Sequence, residues 1–318
     1  MDQTRNPPVM SDITSSSMNV FDRQAVRRHR DGAAATFDDH EFLIAETGER
    51  LADRLLDIAR RFPLALDLGC HTGQLGRLLG DRGGIETLIQ CDLSPKMAMR
   101  AGSMAVAADE EVLPFAKGCF DLILSNLSLH WVNDLPGALI QIRRALKPDG
   151  LFLAAMLGGE TLKELRQALM DAEAAVEGGA GPRVSPMADV RDMGDLLQRA
   201  GFALPVADFD TIDVSYSDPL RLMADLRGMG ESNAVRERRK GFSRRATLMG
   251  AAQRYRERFA APDGRVSATF QTIFLTAWAP HADQQKPLPP GAARNRLANA
   301  LGAEEIPAGE KAEPGPKR

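Results

Sequence analysis

The chain has 318 residues, with 40 Lys and Arg against 43 Asp and Glu, a net charge of −3, 44% hydrophobic and 26% charged residues. This is the composition of a soluble globular protein with room for one large domain or two smaller ones, and it excludes collagen-like, disulfide-scaffold and wholly disordered chains. Acid balances base, so no nucleic-acid partner is expected.

Residues 1–18 are rich in Ser, Thr, Asn and Pro. They lack the apolar surface that would offset the entropy of ordering, and a flexible arm is expected. One folded domain is expected over 19–281. In it, short apolar runs at 64–68, 87–91, 104–107, 120–125 and 151–156 alternate with helical patterns at 73–79, 96–100 and 136–146. That alternation is the signature of a parallel sheet with crossover helices. Beyond residue 160 the order changes to an amphipathic helix (160–176), a Gly/Pro loop (177–186) and a second helix (187–200) stopped by Gly201. An alternating strand over 206–214 precedes an Arg-rich helical insertion at 218–259, in which RERRKGFSRR (236–245) reads as a solvated helix face. A last strand, 268–279, follows the Asp263-Gly264 turn signal. The expected fold is therefore α/β: a doubly wound sheet of seven strands, a cofactor half over about 40–160, and a helical cap from about 160–200 and 218–260. Residues 282–318 carry repeated Pro, Gly and charge and read as a disordered tail or a docking peptide, with helical character only in LANAL.

The strongest chemical signal is LALDLGCHTGQLGRLL, where a buried strand ends at Asp67, passes Gly69 and Gly73, and opens a helix. Glycines there admit a ligand close to the backbone, and the helix start offers free N–H groups to a negative group. A second strand ends at Asp92, nineteen residues beyond Gly73, where a carboxylate can accept from ribose hydroxyls. A nucleoside ligand is implied. A third strand leads to Asp109 and Glu110, and LPFAKGCFDLILSN follows.

This run of motifs, with the LKPDG turn at 146–150, resembles the class I S-adenosylmethionine-dependent methyltransferases over about residues 40–160. The resemblance implies S-adenosylmethionine as cofactor and a Rossmann-like sheet. It places Asp67, Gly69 and Gly73 at the methionine end, Asp92 at the ribose, Asp109 and Glu110 at the adenine and Asn126 beside the sulfonium, with Cys70, His71 and Leu93 in the same loops. His71 stands where that family usually has glycine. It is expected to be a tolerated substitution in a left-handed conformation, with a ring contact to the ligand carboxylate as the alternative.

The segments MNVFDR, FPLALDLGC, ADEEVLPF, SNLSLHWVNDLP, GGETLKELR, DLRGMGESN and DGRVSATFQ, in order from about 18 to 282, are similar to the family of mitochondrial complex I assembly factors that are built on a methyltransferase fold and described as arginine hydroxylases. A more distant resemblance is to the malonyl-carrier-protein O-methyltransferases of biotin synthesis. The first implies a protein partner, a complex I subunit, modified at an arginine; the second implies carboxyl methyl transfer. A non-catalytic assembly chaperone is the third reading. S-adenosylmethionine supplies no oxygen atom, so hydroxylation would draw on an oxidant from elsewhere.

Candidate catalytic residues are His130 and Trp131, just beyond the fourth strand, and Glu231 in the GMGESN turn. Asp134, Glu231, Ser232 and Asn233 are the candidate substrate contacts, with acids able to pair with a guanidinium. The bland alternatives are a core anchor for Trp131 and a solvated acid for Glu231. No metal is predicted, because His71, His130 and Asp134 lack the spacing of a two-His, one-carboxylate site. Cys70, Cys91 and Cys119 fit neither a disulfide framework nor a CxxC site, and no apolar run approaches the roughly 20 residues needed to span a bilayer. The first residues lack the pattern of a secretory signal or a mitochondrial presequence. A cytoplasmic location is expected, with peripheral contact at the inner face of the plasma membrane as a secondary expectation from the Arg-rich insertion.

Overall fold

The computed structural model describes residues 19–285, 297–304 and 309. The expectations for the arm at 1–18 and for most of the tail at 282–318 fall outside those residues. The chain divides into a unit ending at His281 and a second unit, Ala282–Arg318.

The first unit is built on one seven-stranded sheet of order β3-β2-β1-β4-β5-β7-β6. Its strands are β1 (Leu64–Leu68), β2 (Thr87–Asp92), β3 (Ala105–Ala107), β4 (Phe120–Asn126), β5 (Leu146–Leu157), β6 (Ala203–Tyr216) and β7 (Val266–Trp278). Strands β1 to β5 pair in parallel, and β7 runs antiparallel to both of its neighbours, β5 and β6. The chain winds outward from β1 to β3, then returns to β4 on the other side of β1. The switch point at the carboxyl ends of β1 and β4 is where open α/β sheets place ligands.

The helices of this unit are α1 (Arg23–Ala33), α2 (Phe42–Asp53), α3 (Gln74–Leu79), α4 (Pro95–Ala101), α5 (Leu135–Ala145), α6 (Lys163–Glu177), α7 (Val190–Arg199), α8 (Pro219–Gly228) and α9 (Arg245–Phe259). In the second unit, LANAL forms α10 (Leu297–Leu301). Among the described residues no helix is long and apolar enough to cross a membrane.

Period-two alternation divides the central strands between two cores. On β4, Ile123 joins Ile142, Met193, Leu197, Phe152 and Ile273 on one face, while Leu122 and Leu124 join Leu51, Leu75 and Phe274 on the other. A third core forms the cap, where Leu165 and Leu169 of α6 meet Leu222 and Leu226 of α8, Tyr255 of α9 and Phe37.

Two expectations are corrected, and one stretch that carried no assignment is filled. The helix expected at 187–200 begins at Val190 and packs its Met193 and Leu197 stripe beside α5 on the sheet, so it flanks the sheet instead of capping it. Residues 236–244 of the Arg-rich stretch are not helical. Gly241 interrupts them, and the arginines reach separate acids: Arg238 pairs with Asp22 at 3.1 Å and Arg239 with Glu177. Finally, α1 and α2 precede β1, where no helix was expected, and α1 reaches the carboxyl edge of the sheet.

Candidate active site

The loop after β1 is shaped by backbone that side chains rarely tolerate. Gly69 and Gly73 have φ of +76° and +86°, and His71 itself adopts +49°, as expected of a histidine that tolerates the left-handed region. Gly69 and Cys70 donate their backbone N–H groups to the carbonyl of Cys91 at 2.7 and 2.9 Å, which ties this loop to the end of β2. A Cβ at Gly69 would lie 2.1 Å from Ser128 Oγ, so only glycine permits this approach of the loop after β4.

The acids at the strand ends are buried. Asp92 accepts from the backbone N–H of Ser94 at 2.7 Å and of His71 at 3.1 Å. Its carboxylate also faces Arg30 Nη1 at 3.3 Å. Arg30, only 1% exposed, donates to Glu110 at 2.8 Å and to Ser128 Oγ at 2.8 Å, and Ser128 Oγ–H donates to Glu110 at 2.6 Å. A second guanidinium, Arg23, donates to Asp109 at 2.5 Å, to Glu110, and to the carbonyl of Trp131 at 3.2 Å. Burial alone would push the Glu110 carboxyl up, but Arg30, Arg23 and Ser128 outweigh it and hold it well below the usual carboxylate range.

Asp67 is different. Among the described residues it has no cationic partner, its Oδ1 is buried without a hydrogen bond, and Gln90 Nε2 reaches Oδ2 only at 3.5 Å. Burial pushes its carboxyl up to about 7, Gln90 opposes this, and the charge of Asp92 adds to it. Asn126 is engaged on both amide atoms, accepting from Thr47 Oγ1–H at 3.0 Å and donating to the carbonyl of Ile44 at 2.8 Å. The His71 ring stacks on Phe37 with centroids 5.3 Å apart and donates from Nε2 to the carbonyl of Asn126 at 3.2 Å. Burial and then the charge of Arg30 lower the pKa of that ring, which keeps it neutral.

Glu231 is not a solvated acid. Gly230, at φ +77°, turns the chain after α8 so that the Glu231 side chain points inward at 10% exposure. Trp131 Nε1–H donates to both carboxylate oxygens at 3.0 and 3.1 Å, and His130 Nε2 lies 3.0 Å from Oε2. Burial pushes the carboxyl up, yet His130, Trp131 and Arg30 together hold it below the usual range. The carboxylate lines a cavity of about 160 Å³ whose walls include Leu157, Leu162, Leu165, Met187, Met223 and Leu226. Ser232, Asn233, Arg183 and Arg227 also border it.

The remaining expected residues are placed as follows. Asn233 donates to the carbonyl of Pro182 at 2.7 Å and accepts from the N–H of Val235 at 3.0 Å, which fixes the loop that carries Glu231. Asp134, a candidate substrate contact, is an exposed N-cap of α5, accepting from Gly137 N–H at 2.9 Å. Leu93 packs against the cluster of Phe21, Val26 and Trp131, and Cys70 is a buried thiol whose pKa burial raises.

Sequence reasoning missed Arg23, Arg30 and Ser128. One signal was available: the inward stripe of α1 runs Val26, Arg30, Ala33 at helical spacing, which places a guanidinium on a buried face. A buried arginine needs acids, and those lie 62 and 80 residues away in sequence.

A methyltransferase domain family matches residues 66–154. The arginine-hydroxylase NDUFAF5, mitochondrial, of Danio rerio is 45% identical over 89% of this chain and 89% of its own length, and that of Homo sapiens is 45% identical over 87% and 82%. The malonyl-[acyl-carrier protein] O-methyltransferase of Methylovorus sp. is 38% identical over 83% and 91%. Among solved structures, the YcgJ protein from Bacillus subtilis shares the fold at a TM-score of 0.51 and 15% identity, covering 73% of this chain and 98% of that one.

Proposed function

The chain belongs to the family of the arginine-hydroxylase NDUFAF5 proteins, and from that premise we propose that it is an S-adenosylmethionine-binding enzyme acting on an arginine side chain of a protein substrate. The observation that carries the substrate half is Glu231. A carboxylate held by two ring N–H groups at the end of an apolar cavity suits a side chain with a methylene stem and a planar cation, which pairs bidentately with carboxylate. By the sequence resemblance, the protein carrying that arginine is a respiratory complex I subunit.

For the cofactor, the chemistry of the donors supports the assignment. Asp67 keeps a buried acceptor without a partner at the switch point, suited to a cationic amino group, while Asp92 and Glu110 are acids suited to hydroxyl and amino donors. S-adenosylmethionine, when bound, supplies an activated methyl group and a sulfonium charge. The chain's own residues bind and orient: Glu231 fixes the guanidinium, His130 and Trp131 fix Glu231, and the apolar walls exclude water. A hydroxylating reaction takes its oxygen from a co-substrate oxidant.

Arg183 and Arg227 at the cavity wall favour a second reading, transfer of a methyl group to a carboxylate. Arg183 is compensated by Glu173 at 3.0 Å, which weakens that reading. Intact-mass comparison of complex I subunits from cells with and without the protein separates the two. A gain of one oxygen on arginine supports the proposal, a gain of one methyl on a carboxyl group supports the second reading, and unchanged subunits support an assembly chaperone.

Glu231→Gln is expected to preserve folding and reduce arginine modification, because loss of the charged half of a desolvated pair costs about 2–5 kcal/mol. Full modification by the folded variant would remove Glu231 from the substrate site. The Asp67 carboxyl gives a pH test. Its folded pKa is raised, so its contribution to stability is complete below the usual carboxylate range and is lost as pH rises through about 7. A cationic ligand end favours the ionised form, so S-adenosylmethionine affinity should rise about tenfold from pH 6 to pH 8. Calorimetry across that range checks this, and Asp67→Asn should flatten the dependence.

A further inference from the structure

The acids that suit the cofactor are already engaged by the protein's own cations. Arg30 Nη1 lies 3.3 Å from Asp92 and 2.8 Å from Glu110, and Arg23 takes the other side of Glu110 together with Asp109. Ser128 closes over Gly69 and hydrogen-bonds both Arg30 and Glu110. A carboxylate has a fixed number of acceptor sites. Hydroxyl or amino donors of a nucleoside therefore compete with these guanidiniums for the same carboxylate oxygens.

The helix that carries both arginines buries little apolar surface of its own. Its buried apolar residues are only Ala25, Val26 and Ala33, and Arg30 is the large side chain on its inner face. Segments that bury little apolar surface and are held by polar contacts come from the low-stability end of a structure. The other ties of α1 are also polar or at its ends: Asp31 accepts from Ser94 Oγ–H at 2.5 Å, and Phe21 meets the Trp131 ring edge-on at 5.3 Å.

We infer that α1 is an internal latch: Arg30 and Arg23 occupy the acidic cofactor site in competition with S-adenosylmethionine, and cofactor binding releases the helix. This rests on the cofactor assignment above. The apparent cofactor affinity is then lowered by the fraction of molecules that are latched.

Hydrogen exchange on the full-length wild-type protein tests the latch without depending on catalysis or on a variant. Adding S-adenosylmethionine or S-adenosylhomocysteine should accelerate amide exchange over 23–33 while slowing it over 67–73. In parallel, Asp31→Ala removes a tie of α1 without leaving a buried charge and should tighten cofactor binding about threefold to tenfold, the equivalent of one lost hydrogen bond. Binding accompanied by slower or unchanged exchange over 23–33, with Asp31→Ala no tighter than wild type, overturns the latch and leaves the cofactor assignment standing. Failure of both proteins to bind either nucleoside in calorimetry overturns the cofactor assignment and the latch together.

Discussion

Replacing Trp131 with alanine is expected to lower the free energy of unfolding by about 3–5 kcal/mol. The side chain is 2% exposed and packs with Phe21, Ala25, Val26, Ala234 and Val235, so truncation opens a cavity where α1, the turn after β4 and the Glu231 loop meet. The loss is not only of volume. The indole N–H spans both oxygens of Glu231, and without it a buried carboxylate keeps only His130 as a close donor. Trp131→Phe separates the two effects, since it retains most of the apolar volume and removes the donor; a cost of about 1–3 kcal/mol is expected for that change. Urea denaturation measures both. An alanine variant within 1 kcal/mol of wild type would show that the ring does not anchor this junction.

Glu110→Gln is expected to cost about 3–5 kcal/mol, because it removes the charge shared by the buried guanidinium of Arg30 and the largely buried one of Arg23. Arg30 keeps Asp92 at 3.3 Å and Arg23 keeps Asp109 at 2.5 Å, but neither retains the acid that joins them. The pH dependence carries a sign. Glu110 is held well below the usual carboxylate range when folded, so its stabilisation is present above that range and is lost as pH falls through it toward the folded value. Wild-type stability should therefore fall steeply from about pH 5 downward, and Glu110→Gln should fall less steeply from a lower plateau. Denaturation midpoints from pH 3 to pH 7 provide the comparison, and parallel curves would show that Glu110 is not the acid-sensitive group.

All seven strands of the sheet, the glycine-bearing loop after β1 and the acids at 67, 92 and 110 were legible because each is encoded locally. An apolar run of five residues bounded by glycine or proline reads as a strand wherever it lies. The left-handed residue at 71 was also legible, since the loop's geometry is set by its own spacing. The boundaries of β5 were less so: its first residues pair with Phe120 across a register shift, and that irregularity has no sequence signature. The Arg-rich stretch at 236–245 shows the opposite failure. Its composition favours helix, but Arg238 and Arg239 find acids on different elements, and those contacts override local propensity.

By itself the sequence determined the class of sheet, the edge at which open α/β sheets place ligands and the presence of acids there, because periodicity and turn residues act over a few neighbours. Only the tertiary structure decided what those acids face. Glu231 looks like a surface acid beside two glycines until the turn at Gly230 brings it against His130 and Trp131, about a hundred residues earlier. Arg30 looks like one of several solvated arginines until α1 lays it between Asp92 and Glu110. A buried charge is tolerable only where partners converge on it from distant segments, and that convergence is a property of the folded chain.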